Sequence, residues 1–123
     1  MRLLLDTHVL IWWDEGVGLH AKAMDAIRDA DQVYVSAASA WEIAIKTSLG
    51  RLTTRRRVVE AVGESGFEEL PIRLLHAEGV QELPRHHRDP FDRLLIAQAV
   101  AERLTLVTRD RVFSKYDVKT LKA

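Results

Sequence analysis

Apolar and polar positions follow two periods along this chain, and the period at each point predicts the element. The opening run Leu3-Leu4-Leu5 is apolar on both faces, too short for a helix, and stops on Asp6. That pattern predicts a strand covered on both sides. The apolar stretch His8–Asp14 predicts a short helix with Thr7 available to cap it, and Gly16 and Gly18 predict a turn. His20–Ala30 carries Ala21, Met24 and Ile27 at helical spacing with charges opposite, an amphipathic helix. Val33-Tyr34-Val35 predicts a second strand, and Ser36 opens a helix over Ala37–Leu49 that Gly50 stops.

A basic connector, Arg51–Arg57, leads into a helix at Val58–Glu64 that closes between Gly63 and Gly66. Phe67–Ile72 predicts an edge strand, because Pro71 has no N–H to give a ladder. Leu74–Leu83 predicts a helix, Pro84–Arg88 a loop, and Asp89–Arg103 the most regular helix of the chain. Leu104–Thr108 predicts a buried strand, Arg111–Lys115 a turn of helix, and Val118–Leu121 a last short strand. Apolar strands separated by helices predict an α/β fold, a three-layer α/β/α sandwich around a mainly parallel, twisted sheet. At 123 residues, positions 1–123 are expected to form one domain.

Composition narrows the function classes. Hydrophobic residues make up 47% and charged residues 29%, ordinary for a soluble globular protein. Lys+Arg and Asp+Glu are 18 each, so there is no overall basic excess of the kind nucleic-acid binders usually carry. Charge can still be separated locally. The chain has no Cys, which excludes disulfides, thiolate chemistry and Cys-ligated zinc. No uncharged run approaches the ~20 residues of a membrane span, and no secretory leader is read at the N-terminus. The expected location is the cytoplasm.

In a parallel α/β sheet the ligand crevice lies beyond the carboxyl ends of the strands, and several acids fall there. Asp6 ends the first strand, Glu42 lies in the first half of the Ala37 helix, Asp89 and Asp92 share a first helical turn, and Asp110 follows the Leu104 strand. Most have a structural explanation too. Glu42 is four residues before Lys46, a favourable helix pair worth a few tenths of a kcal/mol. Asp89-Pro90 reads as N-cap and first helical residue, with Asp92 placed to favour the helix dipole. Asp110 sits between Arg109 and Arg111, as a turn residue in an ion pair would. Asp6 alone has no evident structural role.

Taken in order, the Asp6-Thr7 strand end, Val-Ser-Ala-Ala-Ser-Ala-Trp-Glu at 35–42, Asp92 heading Asp-Arg-Leu-Leu-Ile-Ala-Gln-Ala, and Leu-Val-Thr-Arg-Asp ending at Asp110 resemble a PIN domain. The resemblance is to the VapC-type toxins of bacterial toxin–antitoxin pairs and spans Arg2 to about Leu121. It implies a metal-dependent endoribonuclease, acting on RNA with Mg²⁺ or Mn²⁺, held in check by a cognate antitoxin and homodimeric. Carried over by position, the catalytic acids are Asp6, Glu42, Asp92 and Asp110, with Asp6, Asp92 and Asp110 as metal ligands. Thr7, Ser36 and Thr108 are supporting polar residues. The Ala-rich segment aligns best with Asp92 as the third acid, leaving Asp89 as cap or support.

The chemistry is consistent with that set. Carboxylates a few Å apart raise each other's pKa unless a cation joins them. Oxygen ligands, with no His in the matched positions, suit a hard ion. Hydrolysis by an activated water would leave a 5′-phosphate and a 3′-hydroxyl. Two rival readings are an aspartyl-phosphate phosphotransfer enzyme with Asp6 as nucleophile, and a non-catalytic PIN-like binding module. The phosphotransfer class expects an Asp where His8 stands.

Arg85 and Arg88, just before Asp89, are the expected RNA-phosphate contacts. Arg55–Arg57 read equally as phosphate contacts or as a solvated face balanced by Glu60, Glu64, Glu68 and Glu69. Trp12, Trp13 and Trp41 read as core or interface anchors before base-stacking platforms, with one of Trp12 and Trp13 pointing away from the core. His8 is placed to touch substrate, His20 and His76 are expected at the surface, and no His pair has ligand spacing.

Overall fold

The computed structural model describes residues 1–123. Five strands form a single parallel sheet: β1 (Arg2–Leu5), β2 (Gln32–Ser36), β3 (Glu68–Leu70), β4 (Thr105–Thr108) and β5 (Thr120–Lys122). Their order across the sheet is β3-β2-β1-β4-β5. Six α-helices connect them: α1 (Thr7–Glu15), α2 (Ala21–Asp29), α3 (Ala37–Ser48), α4 (Val58–Ser65), α5 (Leu74–Gly79) and α6 (Pro90–Glu102). None is long and apolar enough to cross a membrane.

The central strand shows why the sheet needs helices on both faces. Leu3 and Leu5 enter one core cluster, with Val9 and Leu10 of α1 and Ile27 of α2. Leu4, one residue out of phase, enters the other, with Leu95, Ile96 and Ala99 of α6. All three leucines are fully buried. Alternate residues of a strand point to opposite faces, so a run apolar at every position stays in place only between two layers. The three-layer sandwich read from the sequence is the observed one. The strand predicted around Pro71 is indeed at an edge, although the ladder covers only Glu68–Leu70.

This strand order fixes where a ligand can sit. The chain moves from β1 to β2 and β3 on one side, then crosses to β4 and β5 on the other. The direction of winding therefore switches between β1 and β4, which are hydrogen-bonded neighbours. A crevice opens at such a switch point, beyond the carboxyl ends of the two strands. Asp6 follows β1 directly and Asp110 lies two residues beyond β4.

Several local expectations change. The helix read over Leu74–Leu83 ends at Gly79 and continues as a 3₁₀ turn, Val80–Glu82. There the Arg93 guanidinium takes the carbonyls of Val80 and Pro84 at 2.9 Å each, drawing the backbone off the α path. His76, expected at the surface, is buried. Its Nδ1 accepts the Arg73 N–H at 3.0 Å and its Nε2 lies 2.9 Å from Glu102 Oε2, so both nitrogens are satisfied and burial is tolerated. The cap of α1 is Asp6 rather than Thr7. Trp13 packs on Phe67 and donates its indole N–H to Ser65, whereas Trp12 turns to the crevice. Trp41 is mostly exposed, edge-on to Phe91.

Candidate active site

Three of the acids are helix N-caps, and this explains how the fold brings them together. In each, one side-chain oxygen accepts backbone N–H groups that the first helical turn leaves without partners. Asp6 Oδ1 accepts the Thr7 N–H at 2.7 Å. Asp89 Oδ1 accepts those of Phe91 and Asp92 at 2.8 and 3.1 Å. Asp110 Oδ1 accepts that of Val112, at the head of a short 3₁₀ turn, at 2.9 Å. Capping and site-building are therefore not alternatives, because the second oxygen of each group is left for other contacts. Asp6 Oδ2 accepts the Thr108 hydroxyl at 2.8 Å, and Thr108 Oγ1 in turn accepts the Asp110 N–H at 3.1 Å. Thr108 thus ties the ends of β1 and β4 to one geometry.

Glu42 reaches the same place from α3. Its Oε2 pairs with Lys46 Nζ at 2.7 Å, the helix pair expected from the sequence. Its Oε1 is buried and has no partner, an arrangement that ordinarily costs on the order of 1–3 kcal/mol or more for a charged group. The supporting residues act by fixing α3. Ser36 Oγ accepts the Ala38 N–H at 2.9 Å and donates to Gln98 on α6 at 2.5 Å. Thr7 donates to Ser39 Oγ at 2.9 Å, joining α1 to α3. Neither Ser36 nor Thr7 lines the crevice itself.

The result is a polar cleft of about 350 Å³ onto which Asp6, Glu42, Asp89, Asp92 and Asp110 converge. Lys46 and Arg109 are the cations of its wall, with His8 and Trp12 beside them. Arg109 is held over the Trp12 ring at 4.2 Å and donates to the carbonyls of Gly18 and Ala123. Glycine suits position 18, where φ is +98° and a Cβ would meet the Trp12 ring at 3.0 Å.

Crowded carboxylates in a partly dry cleft shift each other's ionisation. Burial holds the Asp6 carboxyl above its ordinary value, against the pull of the Thr108 and Thr7 hydrogen bonds. Asp92 is pushed up to about 7, first by burial and then by the negative charges of Asp6 and Asp89. Asp110 goes the other way: burial raises it, but the Val112 N–H and His87 together outweigh that. A desolvated acid cluster with two carboxyls held upward is the electrostatic signature of a functional site. Asp6, Asp92 and Asp110 offer the set of oxygen donors that a hard cation takes.

A profile of the PIN-domain family matches residues 3–119, nearly the whole chain. The chain is a PIN domain. Ribonuclease VapC22 of Mycobacterium tuberculosis is 32% identical to it over 117 residues, covering 89% of this chain and 87% of that protein. The fold of this PIN domain is also that of solved complexes. One is VapBC2 from Rickettsia felis bound to a promoter DNA fragment (TM-score 0.75, 14% identity, 100% of this chain and 99% of the other). Another is DNA-bound VapBC from Salmonella typhimurium (TM-score 0.71, 16% identity, 99% and 98%).

The PIN domain brings all four sequence-predicted acids, and Asp89, to one cleft. Arg85 and Arg88 lie beside it in a second hollow with Val80, His87, Pro90 and Arg93. The solvated-face reading of Arg55 and Arg56 is the one the ion pairs favour: both meet Asp14, and Arg56 also meets Glu64. The residue that sequence reasoning missed is His87. Its Nε2 lies 2.8 Å from Asp110 Oδ2 and 3.1 Å from Asp92 Oδ2, so the acid set is not free of histidine. The available signal was its place two residues before the Asp89 cap.

Proposed function

We propose that this PIN domain is a metal-dependent endoribonuclease, the toxin of a toxin–antitoxin pair. The observation that carries the reading is the convergence of Asp6, Glu42, Asp92 and Asp110 on one cleft at the switch point, with Glu42 Oε1 buried and unpartnered. Asp6, Asp92 and Asp110 would hold a divalent ion, Mg²⁺ or Mn²⁺. Such an ion lowers the pKa of water and neutralises charge building on a phosphoryl group.

The residues then divide the work. Lys46 holds the Glu42 carboxylate at Oε2, and that carboxylate accepts a proton from the attacking water. The water oxygen bonds to phosphorus as the bond to the ribose 3′-oxygen breaks, and the departing 3′-oxygen takes a proton from solvent, giving 5′-phosphate and 3′-hydroxyl ends. Asp6 serves less well as a covalent nucleophile, since both its oxygens already accept hydrogen bonds and it is 7% exposed. Support for ribonuclease activity comes from the relative named for it, and support for an antitoxin partner from the VapBC complexes and a toxin–antitoxin complex from Klebsiella pneumoniae of like fold. Homodimerisation belongs to the same proposal.

The test is inducible expression with mapping of RNA ends. Wild type is expected to arrest growth and to generate new 5′-phosphate ends, and Asp6→Asn to do neither. Equal arrest by both would contradict the proposal. Arg85 and Arg88 are exposed, and their hollow contains no carboxylate. Replacing both with Gln is expected to weaken RNA binding and lower its salt slope by about 1–2. An unchanged slope removes them from the RNA path.

A further inference from the structure

Taken on its three-atom geometry, His87 looks like a metal ligand. Its Nε2, Asp92 Oδ2 and Asp110 Oδ2 all lie within 4.8 Å of one another. The other side of the ring argues for a different role. His87 Nδ1 accepts the Asp89 backbone N–H at 3.2 Å, and a nitrogen that accepts carries no proton. The ring proton therefore sits on Nε2, where it points at the two carboxylates 2.8 and 3.1 Å away. A protonated nitrogen cannot ligate a cation but donates well to carboxylate oxygen.

The ring has little freedom to exchange roles. The His87 backbone N–H donates to the Tyr116 hydroxyl at 2.7 Å, and its carbonyl accepts from Arg93 at 3.4 Å. The ring stacks at a tilt on the buried Phe113, 5.5 Å between centroids. Turning Nε2 into a ligand would require moving its proton to Nδ1, which would then face the Asp89 N–H donor to donor. The same Asp89 caps α6 and sets the position of Asp92.

We propose that His87 is a positioning residue, an Nε2–H donor that fixes the spacing of Asp92 and Asp110, and not itself a ligand. The role rests on the metal reading of the cleft given above. It makes the ligand set oxygen-only despite a histidine in its midst, which suits Mg²⁺ and Mn²⁺ alike. Hydrogen bonds to ligating groups from outside the ligand set commonly account for 10–100-fold in metal affinity.

Two measurements decide it. In the metal-free protein, ¹⁵N shifts of His87 are expected to report Nδ1 as the accepting nitrogen and the proton on Nε2. A ring protonated at Nδ1 overturns the proposal. With Mn²⁺ as probe, pulsed electron paramagnetic resonance of wild type is expected to show no directly bound nitrogen. His87→Ala should bind Mn²⁺ about 10–100-fold more weakly, and His87→Gln, whose amide N–H can stand where Nε2–H stood, should recover most of that loss. A directly coordinated nitrogen lost in His87→Ala overturns the proposal, as does His87→Ala binding like wild type. Wild type that binds no Mn²⁺ overturns the metal reading and this role together, whereas unchanged binding in His87→Ala overturns the role alone.

Discussion

Asp92→Asn is expected to stabilise the metal-free protein at pH 8 while ending its nuclease activity. The folded-state pKa of Asp92 is about 7, against an ordinary 3.8. Between those values the folded chain holds a proton that the unfolded chain has lost, so stability falls as pH rises from about 4 through about 7. Above 7 the whole cost of an ionised Asp92 is present. The gap is worth at most about 4 kcal/mol, and relaxation of the cleft reduces it to roughly 2–3 kcal/mol. For a chain of this size that is a rise in Tm of about 5–15 °C. At about pH 3.5, where the carboxyl is largely protonated in the folded and the unfolded chain alike, the variant and wild type should melt together. Losing one ion-holding carboxylate should lower the cleavage rate by on the order of 10³-fold, several kcal/mol of transition-state stabilisation. Thermal melts at the two pH values check the first half. A variant less stable than wild type at pH 8 would mean the cleft is not under electrostatic strain.

Glu42→Gln is expected to separate holding the ion from activating the water. Gln keeps the shape of the side chain and an oxygen toward Lys46 but cannot take up a proton. Cleavage should fall about 10²–10⁴-fold, the range for loss of a general base, while Mn²⁺ affinity stays near wild type. Asp6→Asn should lose both. If Glu42→Gln also abolishes Mn²⁺ binding, Glu42 is a ligand and the proton acceptor must be sought elsewhere. The Lys46 pair adds a control. Lys46 holds its proton more firmly than an ordinary lysine, chiefly through its hydrogen bond to Glu42, so Lys46→Met should leave Glu42 without a partner on either oxygen. That variant is expected to retain metal binding and to cleave poorly, and both are read in the same assays.

How much of this was visible in the sequence depends on the range of the interaction. A strand apolar at every position, as in Leu3-Leu4-Leu5, needs two covering layers, and that is local information. The N-caps at Ser36 and Asp89 are equally local, and the helices they start were read within a few residues. The acids were legible as a set because each falls at a strand end or helix start, and a parallel sheet gathers such places at one edge. What stayed hidden depends on partners distant in sequence. His76 is buried because Glu102 lies across from it, 26 residues away. His87 enters the acid cluster because Asp110, 23 residues on, returns to the same edge after β4. Asp6 read as having no structural role because the sequence pattern gives the cap of α1 to Thr7, one residue on, and because its other partner, Thr108, is 102 residues away. Side-chain pairing across the sheet carries no local pattern, whereas hydrophobic periodicity and capping do.

The central claim is that these carboxylates form one divalent-cation site, and a calorimetric titration of Mn²⁺ into metal-free protein at pH 6 and pH 8.5 tests it most directly. Saturable binding is expected at both, with a proton released at pH 6, where Asp92 is mostly protonated, and almost none at pH 8.5. Asp6→Asn should remove the binding, and Asp92→Asn should remove the proton release with it. Absence of saturable binding, or binding unaltered in Asp6→Asn, would contradict a shared cation site in this cleft.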